Sequence, residues 1–98
     1  SGDQGEDVLA ERDGVSYAIQ CKHYQAKISN KAVQEAYAGA EFYGCDVPVV
    51  VTNSYFTPSA EELADEIGVE LWDREELNRM VKKSTKSRKN NRKSRRMA

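Results

Sequence analysis

The sequence predicts an α/β fold, and three observations lead there. An Asp13-Gly14 turn separates two arms of strand character, two later stretches repeat their apolar residues at helical spacing, and a short strand-length run follows each of those stretches. At 98 residues with 39% hydrophobic content, the chain is sized for one domain around one small core.

In chain order, Ser1–Gly5 reads as a loop continuing from an upstream segment, so the chain is expected to be a fragment of a longer protein. Val8-Leu9-Ala10 forms the first hairpin arm. Val15–Lys22 forms the second, rich in β-branched and aromatic residues. In that second arm Gln20 and Lys22 share a face, about 6 to 7 Å apart along the strand. From Asn30 to Tyr43, Val33, Ala36, Tyr37 and Ala40 recur at helical spacing and are expected in the core, with Ser29 or Asn30 as the cap and Gly44 as the stop. Val47–Thr52 is a continuous apolar run suited to a central strand, with Pro48 at its entry. Thr57-Pro58 opens a second helix carrying Ala60, Leu63, Ala64 and Ile67, and Gly68 ends it. Val69–Trp72 is a short strand with Trp72 expected in the core, and Asp73 to Glu76 has the spacing of a capping box ahead of Leu77, Met80 and Val81. The order is β-hairpin, helix, strand, helix, strand, helix, which implies a mixed sheet with parallel crossovers after the hairpin.

Charge is sorted along the chain. All 16 acidic residues and six of the 15 bases lie in residues 1–81, a formal charge of -10. The remaining nine bases are Lys82, Lys83, Lys86, Arg88, Lys89, Arg92, Lys93, Arg95 and Arg96, in a stretch without acids. Residues 82–98 therefore read as a basic tail, too poor in apolar residues to fold alone and suited to phosphate contact without sequence readout. No apolar run reaches the ~18 residues of a membrane span, and no signal-peptide pattern opens the chain. Cys21 and Cys45 lack disulfide or metal spacing and are expected as free thiols. A phosphate-cradling glycine loop, a Ser/His/Asp set and a CxxC pair are all missing.

The hairpin brings together Asp7, Gln20, Cys21 and Lys22. A hard cation such as Mg²⁺ takes oxygen ligands, here the Asp7 carboxylate and the Gln20 side-chain or Cys21 backbone carbonyl. Lys22 is placed to hold or activate a water beside it. Spacing alone leaves this reading open against a solvated surface pair. His23, on the opposite face from Lys22, reads as structural or solvated. Asn53 and Ser54 follow the central strand at its C-terminal end, where open α/β sheets place ligand contacts, so phosphate contact and a plain turn both stand there.

Five ordered blocks carry a resemblance: Gly2-Asp-Gln-Gly-Glu-Asp7, Ile19-Gln-Cys-Lys-His-Tyr24, Asn30-Lys-Ala-Val-Gln-Glu35, Val51-Thr-Asn-Ser-Tyr-Phe-Thr57 and Leu71-Trp-Asp73. Together they resemble the Mrr-type restriction endonuclease domain of the PD-(D/E)xK nuclease superfamily, over Ser1 to about Val81. The resemblance implies a restriction-endonuclease-like mixed sheet, with Asp7 as the metal-binding aspartate and Lys22 as the catalytic lysine. Gln20 stands where many superfamily members have Asp or Glu. Gln34 resembles a glutamine that faces the active site in related RecB-like nucleases, whose partner tyrosine is spaced differently from Tyr37. The family domain normally begins with a helix and a first strand, which would precede Ser1, so the fold is expected to be N-terminally truncated and completed by a homodimer partner or an upstream segment.

The function expected on this basis is Mg²⁺-dependent DNA endonuclease activity, with Mn²⁺ as a substitute, in the bacterial cytoplasm at the nucleoid. The alternative is a non-catalytic nucleic-acid-binding or assembly module with a degenerate nuclease fold. Lys22 is expected on a strand surface, where its replacement would change stability little.

Overall fold

A computed structural model describes residues 4–23, 25–76, 78 and 79. Its elements are β1 (Gln4–Arg12), β2 (Val15–His23), α1 (Asn30–Tyr43), β3 (Val47–Thr52), α2 (Pro58–Ile67) and β4 (Glu70–Trp72). Helical residues follow at 74–76 and 78–79, and Asp73 Oδ1 accepts from the Glu76 N–H at 3.0 Å, as the capping spacing predicts. The basic tail, and Leu77, Met80 and Val81 of the expected third helix, lie outside the described residues.

The four strands form one sheet in the order β1-β2-β3-β4. β1 and β2 are antiparallel, while β2–β3 and β3–β4 are parallel and joined through α1 and α2. The hairpin turn places Asp13 at φ 53° and Gly14 at φ 80°. Two consecutive positive φ values give the backbone twist that matches paired strands, and Asp-Gly adopts them at low cost. β1 starts at Gln4, earlier than the loop expected over Ser1–Gly5, because Gln4, Gly5 and Glu6 pair with His23, Lys22 and Cys21. Ladder pairing overrides the local loop preference of those residues.

Both helices cover one face of the sheet. Val33, Ala36, Val50, Ala60, Ala64, Phe56 and Val69 form the core with Ile28 and Ala32, and Leu63, Ile67 and Leu71 pack against it. Val33, Val50 and Ala60 have no exposed surface. The buried arc of α1 is made of Ala32, Val33, Ala36 and Ala40. Tyr37 falls outside that narrow arc and is exposed, contrary to the core position its spacing suggested. Trp72 is half-buried: Leu71 packs against the helix-side core, so the alternation of β4 turns Trp72 to the opposite face, beside Val51.

Capping follows the sequence. Thr57 Oγ1 accepts from the Ala60 N–H at 3.1 Å with Pro58 in the first turn, and Gly68 (φ 81°) closes α2. Ser29 is the N-cap of α1 without a side-chain cap bond, and Gly44 (φ 68°) donates to the Ala40 and Glu41 carbonyls.

Asp46 ties the entry of β3 to the entry of β2. Its Oδ2 accepts from the Ser16 N–H at 2.9 Å and the Ser16 hydroxyl at 3.1 Å, while its own N–H donates to Ser16 Oγ at 2.9 Å. The Ser16 backbone N–H, followed by its hydroxyl, holds the Asp46 carboxyl below the usual carboxylate range. A depressed folded-state value means stabilisation that is complete above the unfolded-state pKa and lost as pH falls through the folded one. Asp46→Asn is therefore expected to flatten the acid limb of a stability–pH profile, measured by denaturant unfolding from neutral pH to about pH 2. An unchanged acid limb would remove Asp46 from the acid response.

Candidate active site

The hairpin register sets the site. Asp7 lies directly opposite Gln20, and Gln20 Nε2 donates to Asp7 Oδ1 at 2.6 Å. Two residues on, Lys22 projects from the same face of β2, because strand side chains alternate. That face lies under α1, and Lys22 is 7% exposed. The expected surface lysine is thus a buried one, since the helix covers the face that alternation within β2 could not identify as covered. Its Nζ lies 3.4 Å from Glu35 Oε1, on the second turn of α1, and the Glu35 side chain is 46% exposed. A buried ammonium needs such a partner to offset lost hydration.

Sequence reading singled out Gln34 and passed over Glu35. Gln34 is exposed on α1. Glu35 borders the buried arc of Ala32 and Ala36 and reaches the lysine. Its signal in the sequence was a carboxylate three residues after a buried Ala32 and one before Ala36, which places it on the flank of the packed face.

Cys21 and Cys45 are half-buried, and Cys21, near the end of β2, pairs in register with Glu6 and Val51. His23 is exposed at the end of β2. The loops after β2 and β3 are stitched together. Ile28 and Phe56 form a parallel bridge, the Ile28 N–H donates to the Tyr55 carbonyl at 2.8 Å, and the Thr57 N–H donates to the Ile28 carbonyl at 3.0 Å. Ser54 joins this lacing: its hydroxyl donates to the Ala26 carbonyl at 2.9 Å and its carbonyl accepts from the Arg74 N–H at 3.0 Å. Ser54 therefore has a structural task at the end of β3, and Asn53 beside it is half-buried.

Donor chemistry decides whether these residues fit a divalent cation. Asp7 supplies an anionic oxygen, and a half-turn of the Gln20 amide exchanges Nε2 for Oε1 beside it. Among the described residues no group of three or more His, Cys, Asp or Glu side chains can hold a metal. The set suits a hydrated hard cation such as Mg²⁺, which takes one or two carboxylates and keeps several waters, and it does not suit a closed zinc site. A narrow cleft beside the pair is lined by Leu9, Ala18, Ala36 and Tyr43. A larger cavity of about 310 Å³, between α2 and β4, is rimmed by Glu61, Asp65 and Asp73 and includes none of these residues. No helix among the described residues is long and apolar enough to cross a membrane.

Comparison with known proteins agrees with this architecture. Residues 1–81 match the restriction endonuclease family of Mrr type. An uncharacterized protein of Archaeoglobus fulgidus is 32% identical over 74 residues, covering 70% of this chain and 42% of that protein. The crystal structure of AF1548, a protein of unknown function, superposes with a TM-score of 0.60 at 25% identity over 74% of this chain and 50% of that one. The chain thus spans about half or less of the length of these relatives. The match across residues 1–81, on a mixed sheet whose hairpin pairs Asp7 with Gln20, shows that the chain belongs to the Mrr-type restriction endonuclease family.

Proposed function

We propose that this chain carries the catalytic centre of a Mg²⁺-dependent DNA endonuclease, with Mn²⁺ able to substitute, in which Asp7, Gln20 and Lys22 act together. The observation that carries the reading is the cross-strand pair Asp7–Gln20 at 2.6 Å on the sheet face that also bears Lys22. Asp7 and the Gln20 amide oxygen, with the Cys21 backbone carbonyl, are the proposed cation ligands, and Gln34 is an accessory residue on α1. A bound Mg²⁺ supplies Lewis-acid stabilisation of charge developing on the phosphate. Lys22 orients the attacking water and donates to a non-bridging phosphate oxygen. In the reaction the water oxygen bonds to phosphorus and gives up a proton to solvent, one ester P–O bond breaks, and the leaving oxygen takes up a proton from solvent.

DNA is the proposed partner. Asn53 and Ser54 at the end of β3, together with Lys82, Lys83, Lys86, Arg88, Lys89, Arg92, Lys93, Arg95 and Arg96, are proposed to contact its phosphates, and the protein is proposed to act in the cytoplasm at the nucleoid. β1 is an edge strand of nine residues, with Val8 41% and Leu9 55% exposed. A second copy or an upstream segment pairing there would extend the sheet. Residues 1–81 are read as the nuclease core and 82–98 as its basic arm. One observation favours a second reading, a non-catalytic nucleic-acid-binding module: Gln20 is neutral, so Asp7 is the only anion of the pair.

Metal titration separates the two. Mg²⁺ added to the chain is expected to bind weakly and to shift the amides of Asp7, Gln20 and Cys21, and Asp7→Ala is expected to abolish those shifts. Shifts confined to residues remote from that patch would overturn the assignment.

A further inference from the structure

Lys22 is a long cation placed where its direction matters. Asp7 opposes Gln20, so Lys22 is the diagonal neighbour of Asp7 on the same sheet face. Such neighbours lie about 7–8 Å apart, with their β-carbons somewhat closer, a gap that a long side chain spans. An ammonium that crossed it would neutralise the Asp7 carboxylate and compete with any cation for it.

Glu35 lies in the other direction. α1 packs over β2 and β3, and its buried arc of Ala32, Val33 and Ala36 fixes the helix on the sheet, so the carboxylate of Glu35 sits at the helix margin, 3.4 Å from Lys22 Nζ. The ammonium is thereby drawn toward the helix layer, while Asp7 Oδ1 meets the neutral amide of Gln20. A neutral donor yields its place to a cation at far lower cost than a charged one. Glu35 remains 46% exposed, so Lys22 can exchange that carboxylate for a phosphate oxygen when substrate arrives.

We propose that Glu35 is a positioning residue: it holds the Lys22 ammonium against α1, keeps it off Asp7, and so leaves the Asp7 carboxylate open to a divalent cation. This rests on the reading of Asp7 and Lys22 given above, and it assigns Glu35 a task that acts through Lys22.

The experiment is a double-mutant cycle on the 98-residue chain, with the parent, Glu35→Gln, Lys22→Met and the double variant titrated with Mg²⁺ and followed by amide resonances. Glu35→Gln keeps the shape of a half-exposed side chain, and the amide spectrum verifies the fold of each variant. In the parent background Glu35→Gln is expected to weaken Mg²⁺ binding roughly fivefold. In the Lys22→Met background the same change is expected to leave affinity alone, because the competing ammonium is gone. A loss of equal size in both backgrounds would show Glu35 acting as an independent charge and would overturn the proposal, as would no loss in the parent. A second readout needs no metal: the Asp7 carboxyl carbon resonance is expected to move in Glu35→Gln and to stay in place when that change is made in Lys22→Met. If Asp7→Asn leaves Mg²⁺ affinity unchanged, the metal reading of Asp7 fails, and the metal-free carboxyl measurement still decides the role of Glu35.

Discussion

Replacing Lys22 with alanine is expected to lower DNA cleavage by the complete protein by roughly 10²–10⁴-fold, the usual range when a group that positions or transfers a proton is lost. The same change is expected to cost about 1–3 kcal/mol of folding stability, unlike an ordinary surface lysine. The cost follows from burial: at 7% exposure the aliphatic stem of Lys22 is packed beneath α1, and truncation leaves a gap there. Glu35, half-exposed, can turn to water once its partner is gone, so its own charge is not trapped unpaired. Lys22→Met retains the stem and is expected to keep stability within about 1 kcal/mol while losing cleavage to the same degree. Denaturant unfolding and cleavage rates for the two variants check this. Parental cleavage by Lys22→Met would remove the lysine from the mechanism.

Ending the chain at Val81 is expected to have the largest effect on DNA affinity. Residues 1–81 carry a formal charge of -10, which DNA repels at long range, whereas residues 82–98 carry nine bases and no acid. Each neutralised phosphate contributes about -0.9 to the slope of log affinity against log salt, so several tail contacts are worth several units of slope. The intact chain is expected to lose affinity on the order of 10³-fold between about 50 and 200 mM salt, and the shortened chain far less from a weaker start. Binding isotherms at several salt concentrations give both quantities. Equal slopes for the two chains would assign the tail a role other than a DNA arm.

Local signals were legible in the sequence and cross-element ones were not. The Asp13-Gly14 turn, the Thr57-Pro58 cap and the Gly44 and Gly68 stops are written in residues that satisfy their own backbone geometry, and the elements they bound appear where expected. Alternation in β2 put Gln20 and Lys22 on one face but could not tell which face a helix would cover, so Lys22 was read as exposed. Glu35 escaped notice because its partner is 13 residues away and on another element. Tyr37 kept helical spacing yet stays outside, because a row of alanines brings α1 close to the sheet and narrows the buried arc. The pairing of Gln4–Glu6 was hidden for the same reason: their local preference is loop, and the strand exists only because Cys21–His23 offers a ladder.

The lacing between the two loops that follow β2 and β3 bears on how this end of the molecule opens. Ile28, Ser54 and Thr57 are held across the gap by bonds to Tyr55, Ala26 and Ile28 in turn, and Ser54 also anchors Arg74 at the start of the last helical residues. These bonds share Ile28 and Ser54, so opening either loop loses several of them together, and the two loops with the start of the segment after β4 are expected to open as one cooperative unit. Native-state hydrogen exchange should therefore give the Ile28, Thr57 and Arg74 amides a single shared opening free energy. The end of the sheet toward which Lys22 and Asn53 lie would then fluctuate as a block, all closed or all open, with no independent flicker of either loop.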